Sequence, residues 1–155
     1  MAIHRYEAQV RWSGSTGAGW EHYDRAHSVT APPAEPVLTV TTGEAKGDPA
    51  QLNPEQLVVM AASSCQMLMF LHLAAKARID VTEYSDDAEG LMPLDRQPVR
   101  ISEITLRPRI VIASEASDER VRKLVELAHE ECFIANSLNS EMSIEPSIER
   151  AEVRA

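Results

Sequence analysis

Residues 53–77 read NPEQLVVMAASSCQMLMFLHLAAKA, and the fold turns on how that stretch is understood. Asn53 can cap a helix, Pro54 suits the first helical position, and Gln56 stands where a capping box takes Glu or Gln. A helix is therefore expected from here to about Ala77. Its apolar residues fall on every side: Leu57, Val58, Val59, Met60, Met67, Leu68, Met69, Phe70, Leu71 and Leu73. That is the pattern of a helix surrounded by protein. Leu57 to Ala75 carries no formal charge and approaches the length of a bilayer span. However, Ser63, Ser64, Cys65, Gln66 and His72 interrupt it, and no aromatic or basic belts flank it. The stretch reads as a deeply buried core helix, with no membrane partner. One small domain can hardly cover a helix apolar on all faces, so a homodimer is expected.

Working outward toward the N-terminus, Tyr6, Ala8, Val10 and Trp12 alternate within residues 4–12 as on a half-buried strand. A turn over Ser13 to Gly19 follows. Trp20 to Thr30 then pairs back until Pro32 and Pro33 close it, and the short β-branched run Val37 to Thr42 supplies a third strand. Toward the C-terminus, Ile79 to Glu89 and Val99 to Ile112 read as two longer strands, with Pro108 marking an edge or a bulge. Ser117-Asp118-Glu119 opens a second helix whose inner face carries Val121, Leu124, Val125, Ala128 and finally Cys132. Asn136 to Asn139 breaks it, and Met142, Ile144 and Ile148 offer a last short strand around Pro146. The expected fold class is α+β, one domain over residues 1–155, with no internal repeat.

The 155 residues are 44% hydrophobic and 25% charged, an ordinary globular composition. A net charge of -9 repels phosphate backbones and anionic lipid headgroups, so nucleic acid and membrane surfaces are poor partners. Met1 to Arg11 lacks the apolar core and cleavage site of a secretory signal, and a cytoplasmic location is expected.

Two cysteines, Cys65 and Cys132, carry the possible chemistry. Cys65 lies too deep in its helix for the dipole to lower its pKa. A reactive thiolate there needs a cation from elsewhere in the fold or from a partner chain, with Arg25 and Arg11 available. Cys132, at the negative end of the second helix, suits a resolving role better than an attacking one. In that division Cys65 becomes a sulfenic acid and Cys132 condenses with it. Two plain core cysteines are the alternative. His129 with Cys132, and His72 after Cys65, make a zinc site or a Cys-His hydrolase geometrically conceivable, but no close cysteine pair accompanies them; neither a metal nor a cofactor is expected. Glu55 would by default complement the helix dipole, and Arg25 would by default face solvent from its strand.

Asn53-Pro54-Glu55-Gln56-Leu57, Ala61-Ala62-Ser63-Ser64-Cys65 and Ala128-His129-Glu130-Glu131-Cys132-Phe133-Ile134-Ala135-Asn136-Ser137 together resemble the OsmC/Ohr hydroperoxide-reductase family, over nearly the whole chain. The resemblance implies antiparallel sheets around a long buried central helix in an intertwined homodimer. It also implies thiol-based reduction of organic hydroperoxides, and less efficiently of hydrogen peroxide, with electrons returned by a lipoyl-type or thioredoxin-type dithiol. In it, Cys65 matches the attacking position, Cys132 the resolving one, and Glu55 the glutamate that orients an arginine against the thiolate. Ohr enzymes carry that arginine in the turn after the first strand, where this chain reads Ser13-Gly14-Ser15-Thr16-Gly17; Arg25 is the substitute. Phe133 stands where many peroxidase members have proline. These departures keep open an alternative, a non-catalytic dimer that binds a small molecule or senses redox state. Met60, Met67, Met69 and Phe70 are expected to edge an apolar pocket for greasy hydroperoxides.

Overall fold

A computed structural model describes residues 3–17, 19–43 and 46–152. The chain forms two compact units, one ending at Leu57 and the other beginning at Val58. In the first, β1 (Gln9–Arg11), β2 (His27–Thr30) and β3 (Leu38–Val40) form an antiparallel sheet in that order. The strand expected over residues 4–12 shrinks to three exposed residues, and Tyr6 is 89% exposed. Alternation needs a core to face, and among the described residues of this unit only Val40 and Thr41 are buried. The chain from Trp20 to Ala26 is turn and loop rather than strand, because Asp24 turns it: its carboxylate accepts from Ala26 N at 2.8 Å. An isolated bridge between Val40 and Leu52 leads into helix α1 (Pro54–Lys76).

The capping box at the start of α1 forms reciprocally. Gln56 N donates to Asn53 Oδ1 at 2.8 Å and Asn53 N donates to Gln56 Oε1 at 3.1 Å. At the other end Arg78 turns the chain with φ 58°, and Ile79 N donates back to Ala74 O at 2.9 Å, closing the helix as a left-handed cap does.

The second unit holds two three-stranded sheets. Strands β4 (Val81–Asp86), β7 (Pro108–Ile112) and β9 (Ser147–Arg150) form one, with β7 central. Strands β5 (Glu89–Leu91), β6 (Glu103–Leu106) and β8 (Glu141–Ile144) form the other, with β6 central. Each of the two long strands expected from sequence is thus broken into one strand per sheet. The expected final strand is also two, split at Pro146, and both run parallel to their neighbours, so the sheets are antiparallel only in part. Pro108 is neither at an edge nor in a bulge. It opens the central strand β7, where the missing N–H costs nothing because the chain is changing sheets. Arg107 holds that corner: its N–H donates to Asp86 Oδ1 at 2.6 Å and its guanidinium pairs with Glu89 and Glu145.

Helix α2 (Asp118–Glu130) connects β7 to β8 by way of a short 3-10 turn, Ala135–Ser137. Ser117 caps it by accepting from Arg120 N at 3.3 Å, with Asp118 and Glu119 in the first turn. Its inner residues Val121, Val125 and Ala128 join Phe70 and Ala74 of α1 and Ile110 and Ile112 of β7 in the main core; Ala62, Ile104 and Leu106 form a second one. Within the chain α1 is buried along one stripe only, Ala62, Gln66, Phe70 and Ala74. Its opposite stripe, Met60, Ser64, Leu68 and His72, is exposed, Leu68 to 61%. The helix is long and apolar enough to cross a bilayer, but its buried stripe packs as a core helix does.

Candidate functional site

The second unit brings Cys65 and Cys132 together. Cys65 projects from the middle of α1, one position before the buried Gln66, and is partly exposed. Cys132 follows Glu131, the residue that caps the C-terminus of α2, and is fully buried. The two thiols are free, and Cys65 lies near enough to Cys132 to bear on its titration. Cys132 N donates to His129 O at 3.2 Å, and its Sγ accepts from Ala135 N at 3.5 Å as the chain turns. Burial pushes the Cys132 thiol above its ordinary pKa; the Ala135 N–H opposes this, and the adjacent Cys65 side chain adds to it. Cys132 therefore stays protonated beside a more accessible Cys65, an arrangement fit for forming a disulfide after Cys65 is oxidised.

The two helices meet through Gln66, whose Nε2 donates to Val125 O on α2 at 3.0 Å while its Oε1 stays buried without a partner. On the adjoining flank of α1, Ser63 Oγ donates to Asp86 Oδ2 at 2.5 Å. An open cavity of about 760 Å³ lies there, lined by Met60, Ser63, Ser64 and Met67 against Asp86, Glu89 and Arg107. Two of the four residues expected to edge an apolar pocket line it. The others do not: Phe70 is wholly buried in the main core and Met69 packs against that core. With acidic side chains opposite the methionines, the cavity is also more polar than expected. Tyr84 lies against Phe70, ring centroids 5.9 Å apart, and its hydroxyl is buried without a partner. Burial, then the negative charge of Asp86, raises its pKa well above the ordinary phenol value.

Glu55 and Arg25 belong to the first unit. Glu55 Oε2 is buried without a hydrogen-bond partner, close against Gly43. Arg25 donates to Tyr23 O at 3.0 Å and to Trp20 O, and its guanidinium lies 4.0 Å from the centroid of the Tyr23 ring. Among the described residues neither makes an ion pair. Arg11 is exposed on β1, with its guanidinium 3.4 Å from Gln9 Oε1. His72 is exposed on α1, and His129 is half-buried with Nδ1 unpartnered. No cluster of metal-binding side chains occurs among the described residues. Sequence reasoning did not single out Gln66, Asp86 or Tyr84. Gln66 was the findable one, a long amide flanked by apolar turns of helix.

A model of the family described as OsmC-like protein matches residues 45–147. A solved structure of an OsmC-like protein of unknown function from Vibrio cholerae is similar at a TM-score of 0.84 and 30% identity, covering 94% of this chain and 100% of that one. The structure of an organic hydroperoxide resistance protein OsmC from Legionella pneumophila is similar at a TM-score of 0.66 and 19% identity, covering 96% and 99%. The uncharacterized Bacillus subtilis protein YmaD is 20% identical across 96% of this chain and 97% of its own.

Proposed function

This chain belongs to the OsmC-like protein family, and we propose that within it the protein is a cysteine-based peroxidase for organic hydroperoxides. The observation that carries the reading is the nearness of a partly exposed Cys65 to a buried Cys132. The Cys65 thiolate attacks the outer peroxide oxygen, the O–O bond breaks, and the alkoxide leaves as an alcohol after taking a proton. Cys65 is then a sulfenic acid, which Cys132 attacks to form the disulfide and release water. An external dithiol of lipoyl or thioredoxin type reduces the disulfide and closes the cycle. Hydrogen peroxide, lacking an apolar tail, reacts less well.

Activation of Cys65 calls for a cation. Glu55 lies ten residues before Cys65 on α1, about 15 Å of helical rise and beyond the reach of a glutamate side chain. In this reading a second copy of the chain completes the site, its Glu55 orienting its Arg25 against the thiolate. The exposed stripe Met60, Ser64, Leu68 and His72 supports such a homodimer. The protein works in the cytoplasm, where thiols are kept reduced. The engagement of Arg25 with two backbone carbonyls favours a second reading, a dimer that senses redox state without turning over.

Stopped-flow oxidation of the reduced protein by an alkyl hydroperoxide and by hydrogen peroxide, with thiols counted before and after, tests this. Rapid loss of two thiols per chain without cross-linking, faster with the alkyl hydroperoxide, is expected. Slow loss with every hydroperoxide leaves the sensing reading.

A further inference from the structure

We propose that Gln66 is a positioning residue that clamps the helix bearing Cys65 to the helix leading to Cys132, so that the two thiols stay near each other. The inference rests on the redox reading of the pair and adds a residue to it. Gln66 occupies the buried stripe of α1, 1% exposed, where Ala62, Phe70 and Ala74 are otherwise apolar. An apolar side chain of similar volume would pack there without stranding a carbonyl, yet Gln66 Oε1 is buried and unpaired. What the amide gains is the bond from Nε2 to Val125 O at 3.0 Å.

That carbonyl is the one helical geometry pairs with His129 N–H. His129 O in turn accepts from Cys132 N at 3.2 Å. A continuous path thus runs from Gln66, the covalent neighbour of Cys65, through Val125 and His129 to Cys132. Ala62, one turn before Gln66, keeps the stripe shallow on that side of the clamp. Rotation or sliding of α2 would lengthen the Gln66 bond and move Cys132 away from Cys65 together. The clamp therefore sets the effective concentration of one thiol toward the other.

The test uses the whole protein with Gln66→Met and, as a second packing solution, Gln66→Leu, equilibrated in glutathione redox buffers. The disulfide equilibrium constant is expected to fall about tenfold in both, a shift of about 30 mV to a less reducing potential. The thermal midpoint of the reduced form is expected to hold or rise. An equilibrium constant within twofold of the parent in both variants overturns the clamp, whatever the midpoint does. If the parent forms no disulfide at any glutathione ratio, the redox reading fails, and amide exchange over residues 126–132 decides the clamp separately. Faster exchange there in Gln66→Met supports it, and unchanged exchange overturns it.

Discussion

The two helices of the second unit solve the same packing problem in opposite ways. Helix α2 is amphipathic: Val121, Val125 and Ala128 face the core, while Arg122, Lys123 and Glu126 face water. Every apolar position in it except Leu127 is accounted for by its own chain. Helix α1 is apolar on both sides and buried on one, leaving Met60 at 45% and Leu68 at 61% exposure. The difference teaches that the apolar pattern of α2 matches the core it meets, whereas that of α1 exceeds what its own unit buries. The chemistry divides the same way, with the accessible thiol on α1 and the buried one at the end of α2.

That division breaks first at the cysteines. Cys65→Ser is expected to remove peroxide turnover to background, a loss of at least about a thousandfold. Cys132→Ser should keep the first oxidation and leave a sulfenic acid that a dimedone probe traps, read by mass spectrometry. Equal loss of the first step in both variants would dissolve the distinction between attacking and resolving thiols.

The next largest effect tests the uncovered face. Leu68→Glu is expected to cost about 3 kcal/mol of dimer stability and yield monomer in sedimentation velocity. Lys123→Glu on the outer face of α2 disrupts only the exposed pair with Glu119 and should cost no more than about 0.5 kcal/mol. If both leave the oligomer and the midpoint unchanged, α1 has no partner on that stripe. The buried face of α2 should respond more: Val125→Ala removes core atoms and is expected to cost about 2 kcal/mol in urea unfolding.

Two smaller effects sharpen the account of α1. Tyr84 packs on Phe70 with a raised pKa, so the folded state holds the neutral phenol. Its contribution is complete below the ordinary phenol range near pH ~10 and is lost as pH rises through and above it. Tyr84→Phe should flatten that alkaline decline while leaving stability at pH 7 nearly unchanged, as a denaturant series across pH would show. Arg78→Gly, placing the residue suited to φ 58° after the helix, is expected to raise stability by up to about 1 kcal/mol.

Much of this was legible because it rests on local rules. Asn53 and Gln56 announce the start of α1 through a reciprocal bond three residues apart, and Ser117 announces α2. The core of α2 follows from helical period alone. The sheets were harder to read. Nothing local distinguishes a strand over Val99 to Ile112 from two strands meeting at Arg107, because the break depends on the Asp86 carboxylate taking the Arg107 N–H from far along the chain. Nor does spacing tell that Pro146 separates two parallel strands. In the first unit, alternation from Tyr6 to Trp12 suggested a buried face that no core within the unit supplies. At the site, both cysteines were read from sequence, but Phe70 looked like a pocket edge only because an all-apolar helix does not reveal which face is inside.

The bend at Arg107 sets a rule for how this chain can lengthen over evolutionary time. Strands β6 and β7 run beside β8 and β9 at one constant offset of 38 residues, from Glu103 opposite Glu141 to Ile112 opposite Arg150, and Pro108 and Pro146 stand at the same offset in the sequence. A residue inserted at either corner would put the strand that follows it on the wrong face of its sheet. Insertions between Ala113 and Ser140 would alter neither register. Cys132 lies within that length-tolerant segment, so its place in the chain can shift without rebuilding the sheets.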